Sequence, residues 1–135
     1  MRDKLSVLKE YFGHDSFREG QDRITDSLLG GRDVLGIMPT GAGKSICYQV
    51  PALMFDGITI VVSPLISLMK DQVSALVQSG VAAAYINSSL THAQYLKVLQ
   101  NTESGKYKII YVAPERLCAP AFLGICRNLN ISMVA

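Results

Sequence analysis

The sequence predicts an α/β domain: a parallel sheet with helices on both of its faces. Five short β-branched runs recur, Asp33–Ile37, Ile58–Val62, Ala82–Ile86, Lys108–Val112 and Ile131–Ala135, their starts about 23 to 26 residues apart. Stretches with helical periodicity fill the intervals, and strict alternation of strand and helix specifies parallel pairing. The turn after the first run, Met38-Pro39-Thr40-Gly41-Ala42-Gly43-Lys44-Ser45, is glycine-rich and opens a helix through Ile46-Cys47-Tyr48.

Each element has a local reason. Two helices precede the first run, near Lys4–Tyr11 and Arg18–Leu29, and Gly30-Gly31 stops the second. After Ile58–Val62, Ser63 is placed to cap a helix with Pro64 at its first position. Leu65, Leu68, Met69, Val73, Leu76 and Val77 then share one face, with Lys70, Asp71, Ser74 and Gln78 on the other. Gly80 ends that helix. Thr91-His92-Ala93-Gln94 reads as a capping box for the next, with Leu96 and Leu99 turned to the sheet and Gly105 at its exit. Ile131–Ala135 has the character of a core strand in which the chain stops, so the sequence reads as a fragment truncated at its C-terminal end.

Composition bounds the function. The chain has 135 residues, 49% hydrophobic and 18% charged, which suits one globular domain and not a disordered one. Lys and Arg total 13 against 11 Asp and Glu, a net charge of only +2, so any nucleic-acid binding must come from local groups. The longest apolar region, Ile58–Met69, is broken by Thr59, Ser63, Pro64 and Ser67 and is shorter than the ~20 residues a bilayer span needs, so no membrane role is expected. Three cysteines, Cys47, Cys118 and Cys126, without a CxxC pair or an apolar leader, point to reduced thiols in a cytoplasmic setting, as buried packing residues. His14 and His92 lack the partners for a metal site.

The turn from Met38 to Ser45 carries the chemistry. Glycines let backbone N–H groups approach phosphate oxygens, and a helix N-terminus adds partial positive charge. Lys44 reaches the β- and γ-phosphates, and the Ser45 hydroxyl is a ligand for Mg²⁺. Pro39, Thr40, Gly41, Ala42 and Gly43 complete the loop. The general pattern wants glycine where Met38 stands.

From these residues the sequence resembles motif I of superfamily-two helicases, in which that first glycine is commonly replaced. Three further segments are similar to those of RecQ-type DNA helicases. Leu8, Phe12-Gly13-His14, Phe17-Arg18 and Gln21 resemble motif 0. Val61-Val62-Ser63-Pro64-Leu65-Ile66-Ser67-Leu68-Met69-Lys70-Asp71-Gln72 resembles motif Ia, and Tyr111-Val112-Ala113-Pro114-Glu115-Arg116-Leu117 resembles motif Ib. The likeness covers nearly the whole chain, in order. It implies residues 1–31 as a helical segment with an adenine-recognition motif and residues 32–135 as part of a RecA-like P-loop NTPase domain.

The resemblance assigns roles residue by residue. Gln21 reads adenine through its amide, while His14 and Arg18 sandwich the base; His14 departs from the frequent aromatic there. Read without the resemblance, Gln21 is a solvated helix residue and Phe12 and Phe17 are core residues. Ser63, Pro64, Gln72, Asn87, Ser88, Glu115 and Arg116 are candidates for a single-stranded DNA groove, because helix N-termini and hydroxyls at the carboxyl ends of parallel strands hold phosphates without a basic run. On its own Ser63-Pro64 is also a plain cap, Arg116 a salt-bridge partner of Glu115, and Asn87-Ser88-Ser89 a plain turn.

The activity so implied is ATP-dependent 3′→5′ DNA unwinding in recombination and repair, with ATP and Mg²⁺ as cofactors and single-stranded or forked DNA as partner. The family's Asp-Glu-Ala-His motif is expected just past Ala135, and zinc only further toward a C-terminal region. The chain by itself is therefore expected to hydrolyse ATP hardly at all. Other readings are a nucleotide-binding switch module, a small-molecule kinase, which Met38 disfavours, or another P-loop NTPase without unwinding activity.

Overall fold

The structure, a computed structural model, describes residues 3–39 and 43–135. Thr40, Gly41 and Ala42 of the expected phosphate loop lie outside the described residues. The chain forms two compact units, residues 1–56 and 57–135.

The first unit is helical. Helix α1 (Lys4–Val7) begins at Asp3, whose carboxylate accepts the Ser6 N–H at 2.7 Å, and runs on into a π-helical turn, Leu8–Phe12. Helices α2 (Gln21–Leu29) and α3 (Lys44–Met54) follow. Gly31, at φ 81°, ends α2, with its N–H on Leu28 C=O and that of Arg32 on Ser27 C=O, the paired bonds that close a helix C-terminus. Val7, Leu8 and Val50 form the unit's core, with Phe12, Phe17, Ile46 and Leu53 packed around it. Lys4 ties α1 to α2 through ion pairs with Asp22 and with Asp26 (2.6 Å), and lies 5.6 Å from the Phe17 ring centroid.

One expected element is absent. Asp33–Ile37, read as the first strand, adopts no regular secondary structure, and no strand exists among the described residues of its unit. A strand persists only where a neighbour takes up its backbone hydrogen bonds. Here Leu35 and Ile37 are 88% and 89% exposed. The sheet accordingly has four strands, not five.

The second unit holds that sheet: β1 (Ile58–Val62), β2 (Ala83–Ile86), β3 (Ile109–Val112) and β4 (Ile131–Val134), in the order β2-β3-β1-β4 and parallel throughout. The register aligns Ala84, Ile110 and Ile60, and Ile86, Val112 and Val62. Central β3 is buried along its whole length, as a strand covered on both faces must be. Ile58, Ile60, Ile86, Ile110 and Val112 share one face and pack with Tyr95, Leu99 and Phe122 from α5 (His92–Glu103) and α7 (Pro120–Cys126). Helix α4 (Ile66–Gln78) lies against β2 and buries Met69, Val73 and Leu76 outside that cluster. A short α6 (Pro114–Leu117) follows β3.

Helix ends match the sequence reading more closely than helix faces do. The Thr91 box is fully formed: its hydroxyl accepts the Gln94 N–H at 3.1 Å, and Gln94 Oε1 accepts the Thr91 N–H at 2.9 Å. Gly80 and Gly105, at φ 91° and 78°, end α4 and α5. The start of α4 differs. Leu65 is extended, so the helix begins at Ile66, and the Ser63 hydroxyl accepts the Leu65 N–H at 3.2 Å in a local turn instead of capping it. Leu65, Leu68 and Val77 of the expected apolar face are 56%, 41% and 54% exposed. In α5 the buried stripe is Tyr95, Leu99 and Thr102, and Leu96 is half exposed. Cys47 is buried as expected, but Cys118 is exposed.

Candidate functional site

Within the first unit, α3 starts where the phosphate loop ends. Gly43 is its N-cap at φ 75°, ψ 46°, a left-handed conformation that favours glycine. No side chain caps this end, and its first turn contains no acidic residue. Lys44, exposed, and Ser45, half-buried, occupy the first two helical positions. A helix N-terminus of this kind presents N–H donors and the positive end of the dipole to an anion. Ahead of the loop, Met38 lies with its sulfur 3.7 Å from Cys47 Sγ, so the residue that replaces glycine packs on the first turns of α3.

Gln21 joins the segment bearing Arg18 to the start of α3. It is 4% exposed. Its Nε2 donates to the Gly43 carbonyl at 2.9 Å, and its Oε1 accepts the Arg18 N–H at 2.8 Å. A buried amide with partners on both ends is a structural pin, not a solvated helix residue. Adenine reading by Gln21 therefore requires it to share or exchange these partners. Arg18 and His14 are both exposed. A polar groove of about 600 Å³, lined by Phe17, Arg18, Gly20, Asp22, Arg23 and Asp26, opens beside Arg18. The glycine at position 43 also has a packing reason, since a Cβ there would collide with Gln21 Nε2.

The second unit gathers the other candidates at the carboxyl ends of its strands. Ser63 follows β1, Asn87 and Ser88 follow β2, and Pro114, Glu115 and Arg116 follow β3. Backbone bonds hold these ends level: Ser63 N–H donates to Val112 C=O at 3.2 Å and Ala113 N–H to Ile86 C=O at 2.9 Å. Pro64, Ser88 and Glu115 are exposed there. Gln72 sits farther along, part-buried in α4.

Two of these residues do something other than expected. Asn87 is fully buried; its Oδ1 accepts the Ser89 N–H at 2.9 Å and the Ser89 hydroxyl, and its Nδ2 faces Met69 Sδ at 3.5 Å. Its amide serves the turn and does not line a groove. Arg116 is half-buried, with its guanidinium carbon 4.9 Å from the centroid of the Tyr95 ring, a contact that the sequence does not announce. Sequence reasoning missed Tyr95; its place in the buried stripe, four residues before Leu99, is the signal that was available.

Among the described residues no three His, Cys, Asp or Glu side chains group to hold a metal ion. The Ser45 hydroxyl, a hard oxygen in the first turn of α3, is of the donor type that Mg²⁺ takes. No helix of the described chain is long and apolar enough to cross a membrane.

Comparison with known proteins gives the family and the fold. Residues 18–133 match the DEAD/DEAH box helicase family. The chain is 50% identical over 131 residues to the ATP-dependent DNA helicase RecQ of Bacillus subtilis, covering 96% of this chain and 22% of that protein. It is 48% identical over 131 residues to RecQ of Pasteurella multocida, covering 97% and 21%, and 45% identical over 125 residues to the ATP-dependent DNA helicase Q-like 4B of Arabidopsis thaliana, covering 91% and 11%. The chain thus spans about a fifth of the length of the two bacterial relatives. A solved structure of a hypothetical ATP-dependent RNA helicase from Sulfolobus tokodaii superposes with a TM-score of 0.74 at 22% identity, over 93% of this chain and 38% of that one, so the fold is the RecA-like one the resemblance implied. With residues 18–133 matched, the chain belongs to the DEAD/DEAH box helicase family.

Proposed function

We propose that this chain carries the ATP-binding loop and part of the single-strand groove of a RecQ-like, ATP-dependent 3′→5′ DNA helicase acting in recombination and repair. The observation that carries the reading is the uncapped start of α3 at Gly43-Lys44-Ser45, joined by the Gln21 amide to the segment holding Arg18. The names of the relatives that match nearly the whole chain support it.

In this reading residues 1–31 supply adenine recognition and residues 32–135 belong to the RecA-like domain. The α3 N–H groups and the Lys44 ammonium hold the triphosphate, with Pro39, Thr40, Gly41 and Ala42 completing the cradle. Charge-assisted contacts to phosphate are about twice as strong as neutral ones. The Ser45 hydroxyl would help to hold Mg²⁺, which would supply neutralisation of phosphate charge. His14 and Arg18 flank the base and Gln21 reads its edge. Ser63, Pro64, Ser88, Glu115 and Arg116, at the carboxyl ends of β1, β2 and β3, and Gln72 on α4, contact the backbone of single-stranded or forked DNA in a cytoplasmic setting.

The test is ATP hydrolysis and strand separation by the intact protein on a duplex with a single-stranded 3′ tail. Hydrolysis stimulated by DNA together with displacement of the paired strand is expected. ATP binding without DNA-stimulated turnover would replace this reading with a switch module.

A further inference from the structure

Helix α6 has only four residues, Pro114–Leu117, and Arg116 sits on it directly after β3. So short a helix does little to fix a long side chain, and an arginine free to sample its rotamers loses about 2 kcal/mol of entropy when a ligand immobilises it. The Arg116 side chain is not left to sample. Its guanidinium lies over the Tyr95 ring, 4.9 Å from the centroid, and Tyr95 is only 9% exposed within the cluster that packs α5 on the sheet. The ring is therefore a rigid platform and the cation its cargo. The Tyr95 hydroxyl is buried with no hydrogen-bond partner among the described residues, so the aromatic face, not the hydroxyl, is what this position contributes. Leu117 and Ala119, on either side of the α6–α7 junction, pack against the same cluster and anchor the segment bearing Arg116.

We propose that Tyr95 is a positioning residue for the nucleic-acid edge: its ring holds the Arg116 guanidinium in place beyond the end of β3, ready to meet a backbone phosphate of single-stranded DNA. This rests on the reading of Arg116 as a phosphate contact. A planar guanidinium retains its N–H donors around its rim while one face is stacked, so ring contact and phosphate contact are compatible in one side chain. Lysine would keep the charge but put a flexible point cation in place of the planar fork.

The test is a double-mutant cycle in the intact protein, read by fluorescence anisotropy with a labelled oligothymidylate across a range of salt concentrations. Arg116→Ala is expected to weaken binding and to reduce the slope of log affinity against log salt by about 0.7, the value for one phosphate of a single strand. Tyr95→Leu is expected to weaken binding about threefold to tenfold and to have no further effect once Arg116→Ala is present. Tyr95→Phe, which keeps the ring, is expected to rescue binding. Arg116→Lys, which leaves the core untouched, is expected to lose at least threefold. Should Arg116→Ala reduce the slope while Tyr95→Leu changes affinity by the same factor in both backgrounds, or not at all, or should Arg116→Lys bind like the parent, the positioning role is overturned and the edge reading stands. Unchanged affinity and slope for Arg116→Ala would overturn the edge reading itself, and the positioning role with it.

Discussion

Replacing Gly43 with alanine perturbs the point where Gln21 meets the start of α3. Two costs follow from the structure. At φ 75° an L-residue is strained, by about 1–2 kcal/mol. The new Cβ would also fall within 3.0 Å of Gln21 Nε2, so the Gln21 side chain, 4% exposed, must shift to admit it. Its 2.9 Å bond to the Gly43 carbonyl would be displaced, and the loss of a buried hydrogen bond costs about 1–3 kcal/mol. The sum is about 2–5 kcal/mol, enough to weaken ATP binding tenfold or more if the loop must recover its shape to hold phosphate. The assay is calorimetric titration of Mg·ATP into the intact parent protein, Gly43→Ala, Gln21→Ala and the double variant. Removing the Gln21 side chain removes the collision, so the two costs are expected to be non-additive by about 1–3 kcal/mol, with the backbone strain remaining. Parent-like affinity for Gly43→Ala, or strict additivity across the cycle, would refute the reasoning.

Three other perturbations probe the frame. Gly57→Ala drives a Cβ into the Asn130 carbonyl and the Ser132 hydroxyl where β4 approaches β1, and is expected to destabilise by about 1–3 kcal/mol; an unaltered melting temperature would contradict it. Thr91→Ala removes one half of the α5 box and is expected to cost about 1 kcal/mol, seen as roughly fivefold faster exchange of the α5 amides that exchange by local opening, whereas unchanged exchange would show the box to be idle. Asp3 is held below its ordinary value of 3.8, first by the Ser6 backbone N–H. Its cap on α1 is therefore intact above pH 3.8 and is lost as pH falls through the lowered value, and the Ser6 amide resonance is expected to titrate with a midpoint below 3.8, with Asp3→Asn abolishing that titration. A midpoint at or above 3.8 would contradict the cap.

What the sequence revealed divides by the range of the physics involved. Local signals were legible: the Thr91–Gln94 box, the glycine stops at Gly80 and Gly105, and the β-branched runs that became β1 to β4 all depend on residues within a few positions. Properties set by neighbours were not. Asp33–Ile37 has strand composition but no partner strand among the described residues of its own unit, and composition alone cannot supply one. Tyr95 took the buried stripe that was assigned to Leu96, because the phase of α5 on the sheet is fixed by packing with Leu99 and Phe122 and not by apolar character alone. At the candidate sites the residue types were legible and their current partners were not. Gln21 was identified, but not its bond to Gly43; Arg116 was identified, but not its seat on Tyr95; and Asn87 was placed at the right strand end but serves its own turn.

Lys44→Ala asks whether the start of α3 grips a triphosphate. The side chain is exposed in the first turn of α3, so its removal should leave the fold intact while deleting one charge-assisted contact worth about 1.5–3 kcal/mol. Calorimetric titration of Mg·ATP into the intact Lys44→Ala protein is expected to show a Kd raised at least tenfold over the parent. An unchanged Kd would contradict the phosphate-loop assignment and the account built on it.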